Sequence, residues 1–511
     1  MPGRDIGSAD ARAYVEELLN RRPAVGFALG VVRGGSSVFS HVHGVADIAS
    51  RRPVTEDTVF RVASITKTFT AIAVMQLVER GLLDLDAPLD GYLRSFRVDS
   101  PDPAWRPATV RHLLTHTAGI GEEVPRSGVL RRDFGESVVA GRPIPTLAEH
   151  YRGALRLDAE PGTRFRYTDH GLATAGQVVE DVSGEPFEHY LREHVFLPLG
   201  MTDTDLVRSE VVRSRLATGY RLGTRGAVKV AERDWVTAGA SSAFSTPKDM
   251  GRYLAALMSG GRNEHGSVLE PSTLASMFTP QYQPDPRLPG IGLAFYRGDL
   301  GGHPVVEHQG ILPGFDSQIF VAPDDRVAVM AFTNGTRLGM LWLPFELSRL
   351  LGHLIDVPEE GVATGVPQRP DVWSDLCGWY RLPGPATDLR ARAMVGAGVE
   401  VLVRRGRLVL RCLAPVPALY KGVVLHPDDE KDPYVFRIDL SDAGLGTLRV
   451  AFSREAGRTT AVHLDVMPLS AYKQPDTTNP RVWARRALAA GAAMTVAREV
   501  GRRGRRSARR S

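Results

Sequence analysis

Strand-forming sequence occurs in two blocks of this chain, set far apart with mainly helical sequence between them. The first block is Val25–Val32 and Ser37–Val42, joined through Arg33-Gly34-Gly35, a hairpin-type turn. The second is Leu293–Tyr296, Val305–Glu307, Phe315–Val321 and Val327–Phe332, followed by a helix near Met340–Leu354. A short β-rich run, Thr58–Val62, precedes a helix from Ser64 to Arg80 that Gly81 stops. Ala11–Asn20, Gly171–Val182, Pro186–Leu197 and Pro247–Met258 read as further helices. Strands at both ends with helices between and after predict an α+β domain, in which the distant strands pair in one antiparallel sheet.

At 511 residues the chain exceeds one ordinary core, so more than one domain is expected. Residues 1–356 form the α+β part. Residues 357–371, rich in Pro, Glu, Gly and Thr, read as a linker. Residues 372–473 are strand and turn material (Glu400–Val403, Arg407–Leu410, Tyr434–Ile438, Thr447–Phe452, Thr460–Val466), which predicts a small all-β barrel or sandwich. Residues 474–511 form a basic, Arg-rich tail. From Arg481 onward ten arginines face one acid, a balance of +9 against +5 for the whole chain, so the rest carries −4. The basic character belongs to the tail, and no nucleic-acid-binding surface is expected of the body. Trp483–Val500 is a candidate for contact with an anionic membrane surface. The start, Met1–Asn20, lacks the pattern of a signal peptide, and no run of 18 apolar residues occurs, so a cytoplasmic protein is expected. Two cysteines, Cys377 and Cys412, are too few for a disulfide framework, and packing within the barrel is expected of them.

The chemistry-bearing residues fall in three places. In Ser64-Ile65-Thr66-Lys67, helical spacing brings Lys67 beside Ser64. A serine in a first helical turn also lies near unpaired backbone N–H groups that can stabilise an oxyanion. The same spacing recurs at Ser245/Lys248 and Ser470/Lys473. The former reads as a capped helix start with Pro247 in the first turn, and the latter lies at the frayed end of the barrel region. Only Ser64 combines a preceding strand with a following apolar helix. The second place is Tyr167-Thr168-Asp169, where a tyrosine near an ammonium can accept and return a proton. The third is His308-Gln309-Gly310, a strand edge beside a glycine that can offer backbone N–H groups. Taken singly, each has a bland reading: a helix cap, a half-buried tyrosine and a strand-end turn.

Taken together they are an ordered set. Phe60–Lys67 is followed by Gly81-Leu82-Leu83-Asp84-Leu85-Asp86, His112–Gly119, Tyr167–Gly171, His308–Gly310 and Thr333-Asn334. This series resembles the serine β-lactamase and penicillin-binding-protein-like hydrolases, on the branch of class C β-lactamases, DD-peptidases, D-aminopeptidases and esterases. The resemblance implies a β-lactamase-like antiparallel sheet flanked by helices, with a lipocalin-like barrel from Trp373 and Gly378-Trp379-Tyr380 onward. It implies Ser64 as acylated nucleophile, Lys67 as base or proton shuttle, and Tyr167 handling the proton of the leaving group and deacylating water. His308, Gln309 and Gly310 would line the substrate, and the N–H groups of Ser64 and Ile311 would form the oxyanion hole.

Two positions depart from the family pattern. Asp169 stands where asparagine is usual; ionised, it only accepts hydrogen bonds and favours the charged form of Lys67, which shifts the base role toward Tyr167. The carboxylate also suits a cationic or hydroxyl-bearing substrate. His308 stands where β-lactamases carry lysine, and its charge is expected to change near about pH 6.5. A neutral imidazole holds a substrate carboxylate poorly, so small esters or amides are expected in preference to β-lactams. His112 and His116 have helical i,i+4 spacing without the metalloprotease glutamate, and neither metal nor cofactor is expected. The expected function is a serine hydrolase working through an acyl-enzyme on a small-molecule ester or amide. A binding scaffold on the same fold, and a DD-peptidase, are the rivals.

Overall fold

The computed structural model describes residues 8–121, 136–336, 342–359, 361–384, 396, 398–413 and 417–483. They divide into two compact units. The first holds the described residues up to Gly361 together with Gly444–Thr447 and Asp465–Leu469. The second holds Val362–Ala443, Leu448–Leu464 and the described residues from Ser470 on. The main division at Gly361 lies within the segment 357–371 read as a linker, although Pro370–Leu376 is helical.

The first unit is built on one seven-stranded sheet. Its strands are β1 (Gly26–Arg33), β2 (Ser36–Asp47), β3 (Arg52–Pro53), β4 (Tyr296–Leu300), β5 (His303–Leu312), β6 (Phe315–Ala322) and β7 (Val327–Thr333). The order is β4-β5-β6-β7-β1-β2-β3, so the two distant blocks meet where β1 pairs antiparallel with β7, Leu29 opposite Ala331. Successive side chains of a strand point to opposite faces, and β1 is apolar on both. Phe27, Leu29 and Val31 join a core with Val15 and Leu18 of α1 (Ser8–Arg21) and with Leu347 and Leu351 near the carboxyl end of the domain. Ala28 and Val32 face the larger core. That core holds α2 (Thr66–Glu79), α3 (Asp169–Ser183) and α4 (Pro247–Met258). A fifth helix, α5 (Trp342–Leu354), contributes Leu347 and Leu351 on the first face. α2 is buried at every position from Thr66 to Leu77, as expected of a helix without a polar face.

The sequence expectations depart from the structure in instructive places. Of Leu293–Tyr296 only Tyr296 is in the strand, which it opens: Ala294 has a positive φ of 61°, which breaks an extended run. β5 runs on from Val305–Glu307 through His308-Gln309-Gly310, because pairing to β6 continues across these polar residues. Pro186–Leu197 is helical only at Phe187–Leu191, with a π turn at Arg192–Phe196 and a 3-10 turn carrying Pro198.

The second unit is a nine-stranded sheet. In chain order its strands are β8 (Gly378–Arg381), β9 (Gly398–Arg404), β10 (Arg407–Cys412), β11 (Val423–Val424), β12 (His426–Pro427), β13 (Val435–Asp439), β14 (Thr447–Glu455), β15 (Arg458–Leu464) and β16 (Met467–Gln474). The spatial order is β11-β10-β9-β8-β16-β15-β14-β13-β12. The two edge strands, β11 and β12, are separated in sequence by Leu425 alone, so the sheet curls back on itself into a nearly closed barrel. Trp379, Tyr380, Phe436 and Phe452 are buried in it. Cys377 is half-buried and Cys412 buried, and no disulfide joins them. Among the described residues no helix is long and apolar enough to cross a membrane. The tail sequence from Ala484 on, with most of the Trp483–Val500 segment, lies outside the described residues.

Candidate active site

Ser64 sits at the entrance to α2, in a 3-10 turn spanning Ala63–Ile65 that precedes the α-helix proper. The expected helix start is therefore a tighter turn. Ala63 has a φ of +49°, a left-handed conformation costly for a residue with a Cβ. The surrounding structure holds it there. Val62 N–H donates to Ala243 O at 3.0 Å, Thr66 Oγ1 donates to Ala63 O at 2.5 Å, and Ala243 N–H donates to Thr66 Oγ1 at 3.0 Å. Such strain, braced on several sides, is characteristic of functional positions.

Lys67 lies one turn along α2, as its spacing predicts, and is fully buried. Its Nζ donates to Ser64 Oγ at 2.9 Å, to Asp169 Oδ1 at 2.6 Å and to Ala240 O at 3.0 Å. An ammonium has three N–H donors, and three acceptors surround this one. Tyr167 Oη donates to Ser64 Oγ at 2.8 Å, and the Lys67 Nζ stands 4.9 Å from the centre of the Tyr167 ring. Amine and phenol, drawn from two distant segments, thus converge on the Ser64 oxygen, and the Asp169 carboxylate holds the amine. Asp169 is engaged with Lys67 through Oδ1, the pairing expected from its charge. Thr168 caps α3, accepting from His170 N–H at 3.2 Å, and so fixes the turn that carries both Tyr167 and Asp169.

Of the third segment, the structure brings His308 and Gly310 to the serine side of the sheet and sends Gln309 to the other. His308 pairs with Ile319 of the larger core, and Gly310 with Ser317. A Cβ at Gly310 would press into Val62 O and Ser317 Oγ, so the glycine lets β5 lie against the turn before Ser64. Gln309 instead donates to Asp316 Oδ1 at 3.2 Å on the opposite face, where Gln318 donates to Glu307 Oε2 at 2.6 Å. Strand alternation turns the Gln309 side chain to that face, so its place on the serine side is limited to its backbone. Burial of Glu307 and Asp316 pushes their carboxyl groups up to about 7 and about 8. β4 pairs with β5 only as far as Glu307, opposite Tyr296, so His308–Leu312 run past its end. Ile311 on this stretch is 51% exposed, which leaves its backbone on the open side of the sheet.

His308 is buried, and its Nδ1 donates to Gln309 O at 2.7 Å, a direction set by the carbonyl's being an acceptor only. Burial, assisted by the charge of Lys67, depresses it to about 3. The expectation of a charge change near neutrality is corrected: this imidazole is neutral across the physiological range. His116 is likewise buried and held well below its ordinary value by burial. It lies beyond the short helix Val110–Leu114, with a φ of +56°, and its ring packs 4.6 Å from that of Tyr167. His112 stays in the helix, its Nδ1 accepting from Thr109 N–H at 3.2 Å. Helical i,i+4 spacing therefore does not describe this pair. Sequence reasoning missed His116 as a neighbour of Tyr167 and Ala240 O as an acceptor for Lys67. A backbone carbonyl leaves no sequence signal; His116 was signalled by the His112–Gly119 motif.

The two other Ser-x-x-Lys sites are not built this way. Ser245 Oγ bonds Thr204 Oγ1 at 2.8 Å while Lys248 faces Asp57 at 4.0 Å; Thr246 caps α4, accepting from Asp249 N–H at 3.1 Å. Ser470 Oγ bonds His463 Nδ1 at 2.8 Å while Lys473 donates to Asp375 O. Ser470 lies within β16, not at a frayed end.

The chain is similar to known proteins. Over 224 residues the chain is 36% identical to esterase EstB of Burkholderia gladioli, covering 43% of this chain and 56% of that protein. It is 31% identical over 280 residues to acyltransferase calJ of Penicillium decumbens, covering 50% and 65%. The chain thus spans between half and two thirds of the length of these relatives. Among solved structures, the octameric penicillin-binding protein homologue of Pyrococcus abyssi superposes with a TM-score of 0.59 at 22% identity, covering 92% of this chain and all of that one. That likeness shows a shared fold. The β-lactamase family model matches residues 11–341, which takes in every strand of the first sheet together with Ser64, Lys67, Tyr167 and His308, and the chain belongs to the β-lactamase family.

Proposed function

We propose that the protein is a serine hydrolase that cleaves small esters or amides through an acyl-enzyme on Ser64. The observation that carries this reading is the meeting of Lys67 Nζ and Tyr167 Oη on Ser64 Oγ, at 2.9 and 2.8 Å. A hydroxyl becomes a nucleophile when a neighbour takes its proton as it attacks. Asp169 at 2.6 Å stabilises Lys67 as an ammonium, which leaves Tyr167 to take the proton. This role requires Tyr167 to act as the phenolate, with the Lys67 Nζ 4.9 Å from the centre of its ring. In acylation, the Ser64 proton passes to Tyr167 as Oγ bonds to the substrate carbonyl carbon. The phenol then protonates the departing alkoxide or amine. In deacylation, Tyr167 takes a proton from water as the water oxygen attacks the acyl carbon, and returns it to Ser64 Oγ as the acyl–Oγ bond breaks. N–H groups of Ser64 and Ile311 are the proposed oxyanion donors. His308 and Gly310 line the serine side of the strand, and Ile311 lies on its open stretch.

Substrate preference follows from His308. A neutral, buried imidazole offers no cation to a carboxylate, so β-lactams and peptides ending in a free carboxylate lose the ionic anchor that a lysine supplies. The names of the relatives, an esterase and an acyltransferase, support acyl transfer between oxygen nucleophiles. The basic tail is proposed to touch anionic membrane surfaces, on its arginine content alone. The test is a panel of p-nitrophenyl esters, a fluorescent penicillin and a D-amino-acid amide, each with wild type and Ser64→Ala, beside fluorophosphonate labelling. Ester hydrolysis and labelling that both vanish in Ser64→Ala are expected. Fast penicillin turnover would overturn the substrate assignment, and undiminished hydrolysis by Ser64→Ala would overturn the mechanism.

A further inference from the structure

Next to Asp169 a second set of polar side chains lies entirely inside the protein. His170, the second residue of α3, has no solvent exposure. Its Nδ1 is 2.8 Å from Tyr151 Oη, and its Nε2 is 3.3 Å from Glu136 Oε1, a carboxylate that is 1% exposed. The Tyr151 contact is a hydrogen bond, whereas the Glu136 contact lies at ion-pair distance but outside hydrogen-bond geometry. The His150 ring stacks on that of His170 at 5.7 Å, and Asp169 is its neighbour in the chain. These are the titratable groups that face it.

The placement of these contacts matters more than their polarity. Glu136 O accepts from Val236 N–H at 2.9 Å, and Ser137–Val139 pairs antiparallel with Arg233–Trp235. That strand leads directly into the short helix Ala238–Ser241, whose Ala240 carbonyl accepts from Lys67. Glu136 is therefore joined through its backbone to the element carrying Ala240, and through its side chain to the helix carrying Asp169. Two of the three acceptors around the Lys67 ammonium are braced from one buried carboxylate.

We propose that Glu136, His170 and Tyr151 form a positioning relay that holds Asp169 and Ala240 on Lys67, and so keeps Lys67 charged and the proton of Ser64 directed to Tyr167. These are positioning residues; none touches Ser64. The inference rests on the acyl-enzyme reading above. Loosening the relay lets Asp169 draw away from Lys67, which deprives the ammonium of its carboxylate partner. The basic form of the site is then reached at lower pH.

The experiment measures kcat and KM of a p-nitrophenyl ester, and the rate of fluorophosphonate labelling, across pH for wild type, Tyr151→Phe, His170→Phe, Glu136→Gln and Asp169→Asn. Asp169→Asn is expected to move the acid limb of both profiles to lower pH. Tyr151→Phe and His170→Phe are expected to move it in the same direction, by about half a pH unit or more, mainly in kcat. Glu136→Gln keeps the size of the side chain that meets His170 and is expected to stay near wild type. Combining Tyr151→Phe with Asp169→Asn is expected to add no further displacement, because the two act on one contact. If the folded Tyr151→Phe and His170→Phe proteins melt at lower temperature but keep the wild-type profile, the relay is only structural and the proposal fails. Should His170→Phe not fold, Tyr151→Phe, which loses a single hydroxyl, decides the matter. A wild type that neither hydrolyses esters nor labels would defeat the hydrolase reading instead. The relay is then judged by a crystal structure of Tyr151→Phe, in which a Lys67–Asp169 separation unchanged from 2.6 Å counts against it.

Discussion

At the scale of single residues, the account turns on groups whose charge is set by where they are buried. His308 is the clearest case. With its imidazole depressed to about 3, it is neutral across the physiological range, so the pH–rate profile is expected to show no inflection near pH 6.5 that His308→Gln removes. A limb near 6.5 that disappears in that variant would contradict the burial argument. Asp316 is the opposite case on the far face of the same sheet. Its carboxyl is raised to about 8 in the folded state, against about 4 for an exposed aspartate. Its contribution to stability is therefore complete below pH 4 and is lost as pH rises through 8. Asp316→Asn is expected to melt close to wild type at pH 5 and clearly above it at pH 9, as followed by thermal unfolding. A variant less stable at both pH values would show that the ionised group is accommodated. The sequence made the residue types at 169 and 308 legible as departures from a family pattern. It did not show that Asp169 is consumed by Lys67, nor that Gln309 points away, because both depend on which face a side chain takes after the chain has folded.

Elements explain why one Ser-x-x-Lys became a site while two did not. Identical spacing produces a catalytic constellation only where the strand before it, the helix after it and two distant segments all converge, and Ser64 alone has these neighbours. α4 begins with Thr246 and Pro247, which satisfy its start without any chemistry: Thr246 is fully buried and accepts from Asp249 N–H. Thr246→Ala is expected to cost about 1 kcal/mol in denaturant unfolding while leaving kcat unchanged. A loss of activity at full stability would give this helix start a role that the geometry does not. The approach of β5 to the turn before Ser64 is a demand of the opposite sort. Gly310→Ala is expected to lower kcat/KM at least about tenfold and to destabilise by about 1–3 kcal/mol, because its Cβ meets the backbone of Val62. Wild-type activity in that variant would mean that the contact yields easily. Helices with strong periodicity, such as α4, were legible to the residue, whereas β5 was not. His308-Gln309-Gly310 reads locally as a strand end, and only pairing with β6 carries the strand through it.

For the molecule as a whole, the wide separation of two strand blocks already specified a sheet closed by its first and last strands. That sheet forms at the β1–β7 junction. The second unit was legible as strands and turns, but not as a nine-stranded sheet whose edge strands flank a single residue. Strand order depends on long-range pairings that alternation alone leaves open. What joins these scales is one oxygen, reached by a lysine one helical turn away and by a tyrosine far along the chain. The most direct test is mass spectrometry of the protein quenched during turnover of a slow p-nitrophenyl ester. The account predicts an acyl adduct on the peptide containing Ser64, absent in Ser64→Ala, and accumulating in Tyr167→Phe as deacylation slows. Steady hydrolysis with no adduct, or an adduct on a different residue, would contradict it.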